Sequence, residues 1–452
     1  MNKKLTIIFF AFIFIYSPVH AVAQDKFLDI QEIVSSKGIK AWLVEDHSVP
    51  VIAVQFAFRD TGSKTNAPEK QGLAQLASNT MDEGAGDIKS QEFQKLLKDL
   101  SITLSFSASR DNFGGELKTL TRNKDKAFEL LKLALTKPRF DPEPVDRMRK
   151  ANQSRIKSSL SSPRWMAARI QNDRIFENHP YALNSGGTLS SLASLTPDDL
   201  RDFHSTLGKN QLVIGVAGDI SANELKTALD NIFGDMPETS VTESKKSDLQ
   251  NAGKTYLYKQ DIPQTIVLMT QEGISRKDED YYAAKIMNFI LGASGFGSRL
   301  MEEIREKRGL TYGIFSYFRE YQEANVMHVS TSTVNESVPE IISLIHQAWD
   351  KMHNEPVMER ELKDAKSYLI GSLPLSLTST DSIAEILLSL QYDHLPIDYL
   401  DTRKDKIQNV TIEDIQKVAK RLLDKKNFTT ILVGNPDDLE GTEIISTLPN
   451  VE

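Results

Sequence analysis

The sequence predicts an α+β protein built from two homologous halves, and three features predict it. A helix–strand unit occurs twice at long range, alternating apolar strands mix with amphipathic helices in both parts of the chain, and a polar stretch separates the two copies. The first copy opens at Leu195-Thr196-Pro197-Asp198-Asp199-Leu200, where Thr196 is a natural N-cap with acids in the first turn. Its helix runs to about Leu207; Lys209-Asn210 then leads into the apolar strand Gln211 to Ala217, which stops at Gly218. In the second copy Thr411 is the cap, Glu413 and Asp414 supply the acids, Lys426-Asn427 precedes the strand from Thr429, and Gly434 is the stop. Thr196 to Gly218 spans 22 positions and Thr411 to Gly434 spans 23. Cap, Lys-Asn and Gly recur in order, which is the mark of a duplication.

Taken in order, the chain begins with Lys3 and Lys4, an apolar run from Leu5 to about Tyr16, Pro18, and Ala21-Val22-Ala23. A basic start, a run too short to span a membrane, and small residues at −3 and −1 predict a secretory signal peptide over 1–23. The first half is expected over 24–236, with a strand at Ala53 to Phe58 and helices at Phe93 to Leu100 and Lys126 to Leu135. Pro237 to Lys254, rich in Ser, Thr, Lys and Glu, reads as a linker. The second half is expected over 255–452, with a strand at Thr265 to Met269 and a helix at Val338 to Met352.

Composition narrows the function. The chain has 54 basic and 62 acidic residues, a net charge of −8, which becomes −10 once Lys3 and Lys4 leave with the signal peptide. That balance argues against nucleic acid and anionic membranes as partners. There is no cysteine, so disulfides, thiolate metal sites and cysteine nucleophiles are all excluded. No segment after the signal peptide is apolar enough to span a bilayer. Seven histidines follow it (His47, His179, His204, His328, His346, His353 and His394), and no two are three or four residues apart, so no local His pair can hold a metal. Gly292 to Gly297 superficially suggests a phosphate loop, but no Lys-Ser/Thr follows it and it joins two expected helices. Ser158 to Ser162 has no recognisable His or Asp partner for a triad.

The helical stretch Gly72-Leu73-Ala74-Gln75-Leu76-Ala77-Ser78-Asn79-Thr80-Met81, with the extended segments from Lys40 to Gly62 before it, resembles the opening of M16 (pitrilysin/insulinase-like) zinc peptidases. In active members that helix carries His-x-x-Glu-His: two imidazoles one turn apart hold Zn²⁺ and the Glu activates its water. Here the His positions read Gln75 and Asn79, and the Glu position reads Ser78. Neutral amides are poor zinc ligands, and a serine hydroxyl is no general base near neutral pH. The family's third ligand, a Glu on a later helix, falls on Arg155, with Ser154 as the alternative. A cation at that place would repel the metal. His179-Pro180-Tyr181 matches a recurring family segment that reads as structural.

The second half keeps its family motif. Gly292-Ala293-Ser294-Gly295-Phe296-Gly297-Ser298-Arg299-Leu300 leads through a helix to Arg305 and then Gly309-Leu310-Thr311-Tyr312. It resembles the M16 substrate-binding signature, which implies that Arg305 and Tyr312 hydrogen-bond a peptide backbone and hold its polarised carbonyl oxygen. Guanidinium and phenol are donors suited to that task. The competing reading gives Arg305 to helix ion pairs with Glu302 or Glu306 and Tyr312 to the core.

The resemblance covers residues ~27–447 and implies two halves of the M16 metallopeptidase (LuxS/MPP-like) type, each of α/β sandwich subdomains, closed like a clamshell. It implies a non-catalytic, substrate-binding subunit of an exported heterodimeric metalloendopeptidase, inactive alone. No cofactor is expected in this chain; zinc is expected in a homologous partner subunit, and the substrate is a peptide or unfolded polypeptide. In a Gram-negative cell the location would be periplasmic. The alternative is a non-enzymatic scaffold or peptide-binding protein that reuses the fold.

Overall fold

The computed structural model describes residues 26–240, 246–437 and 439–452, so the predicted signal peptide lies outside the described residues. In the first half the strands are β1 (Gln31–Val34), β2 (Lys40–Glu45), β3 (Val51–Arg59), the two-residue pair β4 (Gly84–Ala85) and β5 (Ile88–Lys89), β6 (Thr103–Ala108), β7 (Asn112–Leu120) and β8 (Leu212–Gly218). In the second they are β9 (Thr255–Lys259), β10 (Gln264–Glu272), β11 (Ile314–Glu320), β12 (Asn325–Val334), β13 (Thr429–Gly434) and β14 (Thr442–Ile445).

The duplication is visible in the sheets. One has the order β1-β2-β8-β3-β7-β6 and the other β14-β9-β13-β10-β12-β11. In both, the second and third strands run parallel and the next three pairings are antiparallel. Val54 of β3 sits between Val216 and Leu117 as Leu268 of β10 sits between Ile431 and Ser330. Only the outer strand differs: β1 precedes its sheet in the chain and is antiparallel to β2, whereas β14 closes the chain and is parallel to β9.

The repeated unit forms as its residues dictate. Thr196 and Thr411 cap helices Pro197–His204 and Ile412–Leu422, each with a reciprocal capping box to Asp199 or Asp414. Both strands then end on a glycine that a neighbour requires. A Cβ on Gly218 would meet the Val51 carbonyl oxygen at 2.1 Å, and one on Gly434 would meet Thr265 Oγ1 at 2.2 Å.

One face of each sheet packs on helices of its own half, around Phe56, Phe93, Phe113, Leu130 and Phe233 in the first and Met269, Ile286, Ile345 and Trp349 in the second. The other face is covered from across the molecule. Helix Pro163–Ile175 of the first half lays Met166, Ala167 and Ile170 on Tyr256, Ile266, Leu268, Ile431 and Val433 of the second sheet. Helix Thr380–Tyr392 of the second half lays Ala384, Leu387 and Leu390 over Trp42, Val44, Ala53 and Ala217. Burying each large side chain at these seams contributes about 2 kcal/mol. The expected linker is tied down where it is described: Thr239 N donates to Asn210 Oδ1, Ser247 N to the Glu323 carbonyl and Gln250 N to the Ile175 carbonyl. Among the described residues no helix is long and apolar enough to cross a membrane.

Candidate functional site

The helix that resembles a zinc helix is Leu73–Ser78. Its entry is the left-handed Gly72 (φ 85°), whose missing Cβ lets the backbone come against Gly187. Leu73, Ala74, Leu76 and Ala77 face the core, which leaves Gln75 and Asn79 on the open side one turn apart. Gln75 Nε2 donates to Ser78 Oγ at 3.2 Å and to Asn79 Oδ1 at 3.4 Å, while Ser78 Oγ donates to the Gln75 carbonyl at 2.8 Å. The structure therefore brings these three side chains together as a self-bonded amide cluster.

Arg155 stands on helix Pro142–Ser159, which packs against helix Leu73–Ser78. Arg155 and Ser154 are both exposed, and among the described residues neither makes a side-chain hydrogen bond or ion pair. The polar side chain that this helix turns inward is Asn152, only 4% exposed, with an Nδ2 that has no partner among the described residues. Its place three residues before Arg155 puts it about one helical turn away, and its amide has none of the charge that marks a ligand in a sequence. Two amides, a hydroxyl and a guanidinium do not fit Zn²⁺, which needs imidazole, thiolate or carboxylate donors. Among the described residues no group of three or more His, Asp or Glu side chains is placed to hold a metal ion. The neighbouring acids are committed elsewhere. Glu83 is buried and accepts from Arg147 at 2.6 Å and from Ser90. Asp82 is pushed up to about 6 by burial and by the adjacent Glu83.

The second motif is built on helix Tyr281–Asn288, which widens into a π-helical turn at Phe289–Ala293. A tight turn over Gly295–Gly297 follows, and then a second π-helical stretch, Met301–Glu306. Such widened turns cost hydrogen-bond geometry and concentrate at functional sites. Buried Met301 and Ile304 pin the stretch, so Arg305 projects outward. Its guanidinium is bonded to the adjacent Glu306 and lies over the ring of Phe296, 4.5 Å from the centroid. The helix stops at Gly309 (φ 66°), whose N–H bonds back to the Arg305 carbonyl. Thr311 then anchors the loop through Oγ1 to the Ser332 carbonyl at 2.8 Å. Tyr312, next to that anchor, is 85% exposed and has no hydrogen bond or ring contact among the described residues.

A buried polar network ties the hairpin that continues from this motif to the first half. Lys64 Nζ reaches Asp60 at 3.1 Å, Glu323 at 2.9 Å and Gln322 at 2.6 Å, and His179 Nε2 meets Glu323 Oε2 at 2.7 Å. Tyr181 donates to Asp111 and packs edge-on against Phe176. His179-Pro180-Tyr181 thus serves the junction between halves.

Two duplicated α+β halves, one with amides along the metal-type helix and one with an Arg/Tyr turn, define an M16-type architecture. Residues 44–186 match the family described as insulinase (peptidase family M16) and 194–369 match the peptidase M16 inactive domain; the chain belongs to the M16 peptidase family. It is 26% identical over 418 residues to a protein of Helicobacter pylori named the non-peptidase homolog YmxG, covering 91% of this chain and 95% of that one. A crystal structure of a peptidase M16 inactive domain from Pseudomonas fluorescens superposes with a TM-score of 0.85 at 25% identity, over 91% of this chain and 99% of the other. The β subunit of the mitochondrial-processing peptidase of Saccharomyces cerevisiae is 23% identical over 87% of each chain.

Proposed function

We propose that this chain is the non-catalytic, substrate-binding subunit of an exported heterodimeric M16 zinc metalloendopeptidase, periplasmic in a Gram-negative cell. One observation carries the reading: Tyr312 is displayed to solvent and has no hydrogen-bond or ring partner among the described residues, beside an Arg305 bonded to Glu306 and lying over an exposed ring. A partner's zinc would polarise the peptide carbonyl. Arg305 and Tyr312 would donate to its oxygen and to the neighbouring backbone, where negative charge develops. The self-bonded Gln75–Ser78–Asn79 cluster supports inactivity of the chain alone. A relative named as one subunit of a processing peptidase supports division of the work between chains.

The test mixes this chain with a homologous exported chain that carries His-x-x-Glu-His, and follows cleavage of a peptide library. Neither zinc nor activity is expected from this chain alone, and activity is expected on mixing. Arg305→Ala and Tyr312→Phe should each lower turnover by roughly 10²–10³-fold while leaving the heterodimer intact. The name of the Helicobacter pylori relative favours a second reading, a scaffold or peptide-binding protein without enzymatic work. Undiminished turnover in both variants would select it.

A further inference from the structure

Strand pairing sets three polar side chains in one row on the face of the first sheet turned away from its own helices. Glu116 of β7 stands between Gln55 of β3 and Ser105 of the edge strand β6. Gln55 Nε2 donates to Glu116 Oε2 at 3.1 Å, and Ser105 Oγ donates to Glu116 Oε1 at 3.0 Å. Both donors are neutral. Among the described residues Glu116 has no ion pair, and Lys118, the next residue of β7 on this face, is taken by Asp381.

The neighbouring row, Ala57, Gly114 and Ser107, carries almost no side-chain bulk. A Cβ on Gly114 would meet the Phe56 carbonyl oxygen at 2.4 Å, so no side chain can stand there. What remains is a cavity of about 350 Å³, lined by Glu116, this row and Leu388 of helix Thr380–Tyr392. The second sheet shows that the fold does not require the gap. Counted from the stop glycines Gly218 and Gly434, the places of Gly114 and Ser107 hold His328 and Tyr317, whose rings pack 5.0 Å apart, and the place of Ser105 holds Phe315. One half fills this place with rings; the other keeps a carboxylate at the wall and room in front of it.

A carboxylate at the wall of a small cavity, bonded only to neutral donors, is completed by a cation. A single carboxylate offers too few oxygen ligands for a divalent metal. Each Glu116 oxygen accepts one neutral donor and can accept another, which matches the two-pronged guanidinium, while Ala57 and Leu388 offer apolar contact to its methylene stem. We propose that this cavity is a side-chain pocket for an arginine of a bound peptide, with Glu116 as its charge partner. The peptide nature of the ligand rests on the proposed function, but the pocket can be tested on this chain alone.

The probes are acetyl-Ala-Ala-Arg-Ala-Ala amide and the same peptide with citrulline, which keeps the shape of arginine without its charge, titrated calorimetrically into the full chain at low salt. The arginine peptide should bind about tenfold or more tightly than the citrulline peptide, the worth of one charge-assisted pair. Glu116→Gln, which keeps the row's hydrogen-bonding shape, should remove that preference. Ser107→Tyr, which fills the cavity as the second half fills its own, should weaken the arginine peptide by a similar factor with Glu116 still in place. Thermal unfolding of both variants checks that they fold. No measurable binding of the arginine peptide, equal binding of the two peptides, or a preference undiminished in Glu116→Gln would each overturn the pocket while leaving the proposed function in place. A failed reconstitution with a zinc-bearing chain would remove the proposed function and leave the arginine preference standing.

Discussion

Gln75 Nε2 lies 3.4 Å from Asn79 Oδ1, one helical turn away, so the side chains at the two ligand positions hydrogen-bond each other. The spacing suited to two imidazoles on one metal is retained while the chemistry is exchanged.

That retained spacing predicts that the site can be rebuilt. Gln75→His with Asn79→His should give weak zinc uptake. Adding Ser78→Glu and Arg155→Glu should raise the affinity roughly tenfold or more, because a repelling cation becomes a carboxylate ligand. Zinc content after dialysis and calorimetric titration measure both. If Asn152→Glu substitutes for Arg155→Glu in completing the site, the inward residue of helix Pro142–Ser159 is the third ligand position.

Gly215 on β8 lets helix Thr380–Tyr392 lie directly on the first sheet. A Cβ there would meet the Ala384 carbonyl oxygen at 2.2 Å and Leu388 N at 2.8 Å. Gly215→Val should therefore destabilise the chain by about 3 kcal/mol or more, at the upper end of overpacking costs. Gly371, in helix Glu359–Ser376, has nothing within 4 Å of its Cβ position. Gly371→Ala should stabilise by about 1 kcal/mol through helix propensity. Urea midpoints on the two variants should move in opposite directions.

His328 predicts a weakness in acid. It is 3% exposed, its Nδ1 lies 2.9 Å from Thr270 Oγ1 and 3.4 Å from Gln171 Nε2, and burial pushes it down to about 3. The unfolded chain binds this proton near pH 6.5 and the folded chain does not, so stability falls as pH drops from about 6.5 towards 3. The contribution is present above that window and has a slope of up to about 1.4 kcal/mol per pH unit. His328→Gln should flatten the acid limb of a stability–pH curve, as followed by thermal unfolding. An unchanged slope would assign the acid loss to other groups, such as His204, also lowered by burial.

The duplicated unit was legible because local chemistry writes it: Thr196 and Thr411 cap their helices and Gly218 and Gly434 end their strands as the sequence suggests. Helix limits moved by a few residues, with Phe93 to Leu100 becoming Ser90–Asp99 and Val338 to Met352 becoming Val338–Asn354. Clustering of Gln75, Ser78 and Asn79 follows from helical spacing and was equally visible. The partners of Arg305 were only half visible: Glu306 adjoins it in sequence, but the Phe296 ring reaches it through a turn that periodicity does not describe. Nothing local announces the burial of Asn152, since it depends on how distant helices are laid together.

The covering of each sheet by a helix from across the molecule means that neither half contains its own complete fold. Produced alone, the first half would expose Trp42, Val44 and Ala53, and the second would expose Tyr256, Ile266 and Leu268. The architecture is that of a swapped dimer fused end to end: a single ancestral copy could have closed its sheet only by borrowing a helix from its twin. Such a molecule is expected to unfold as one cooperative unit, and two separately made pieces to regain stability only by finding each other.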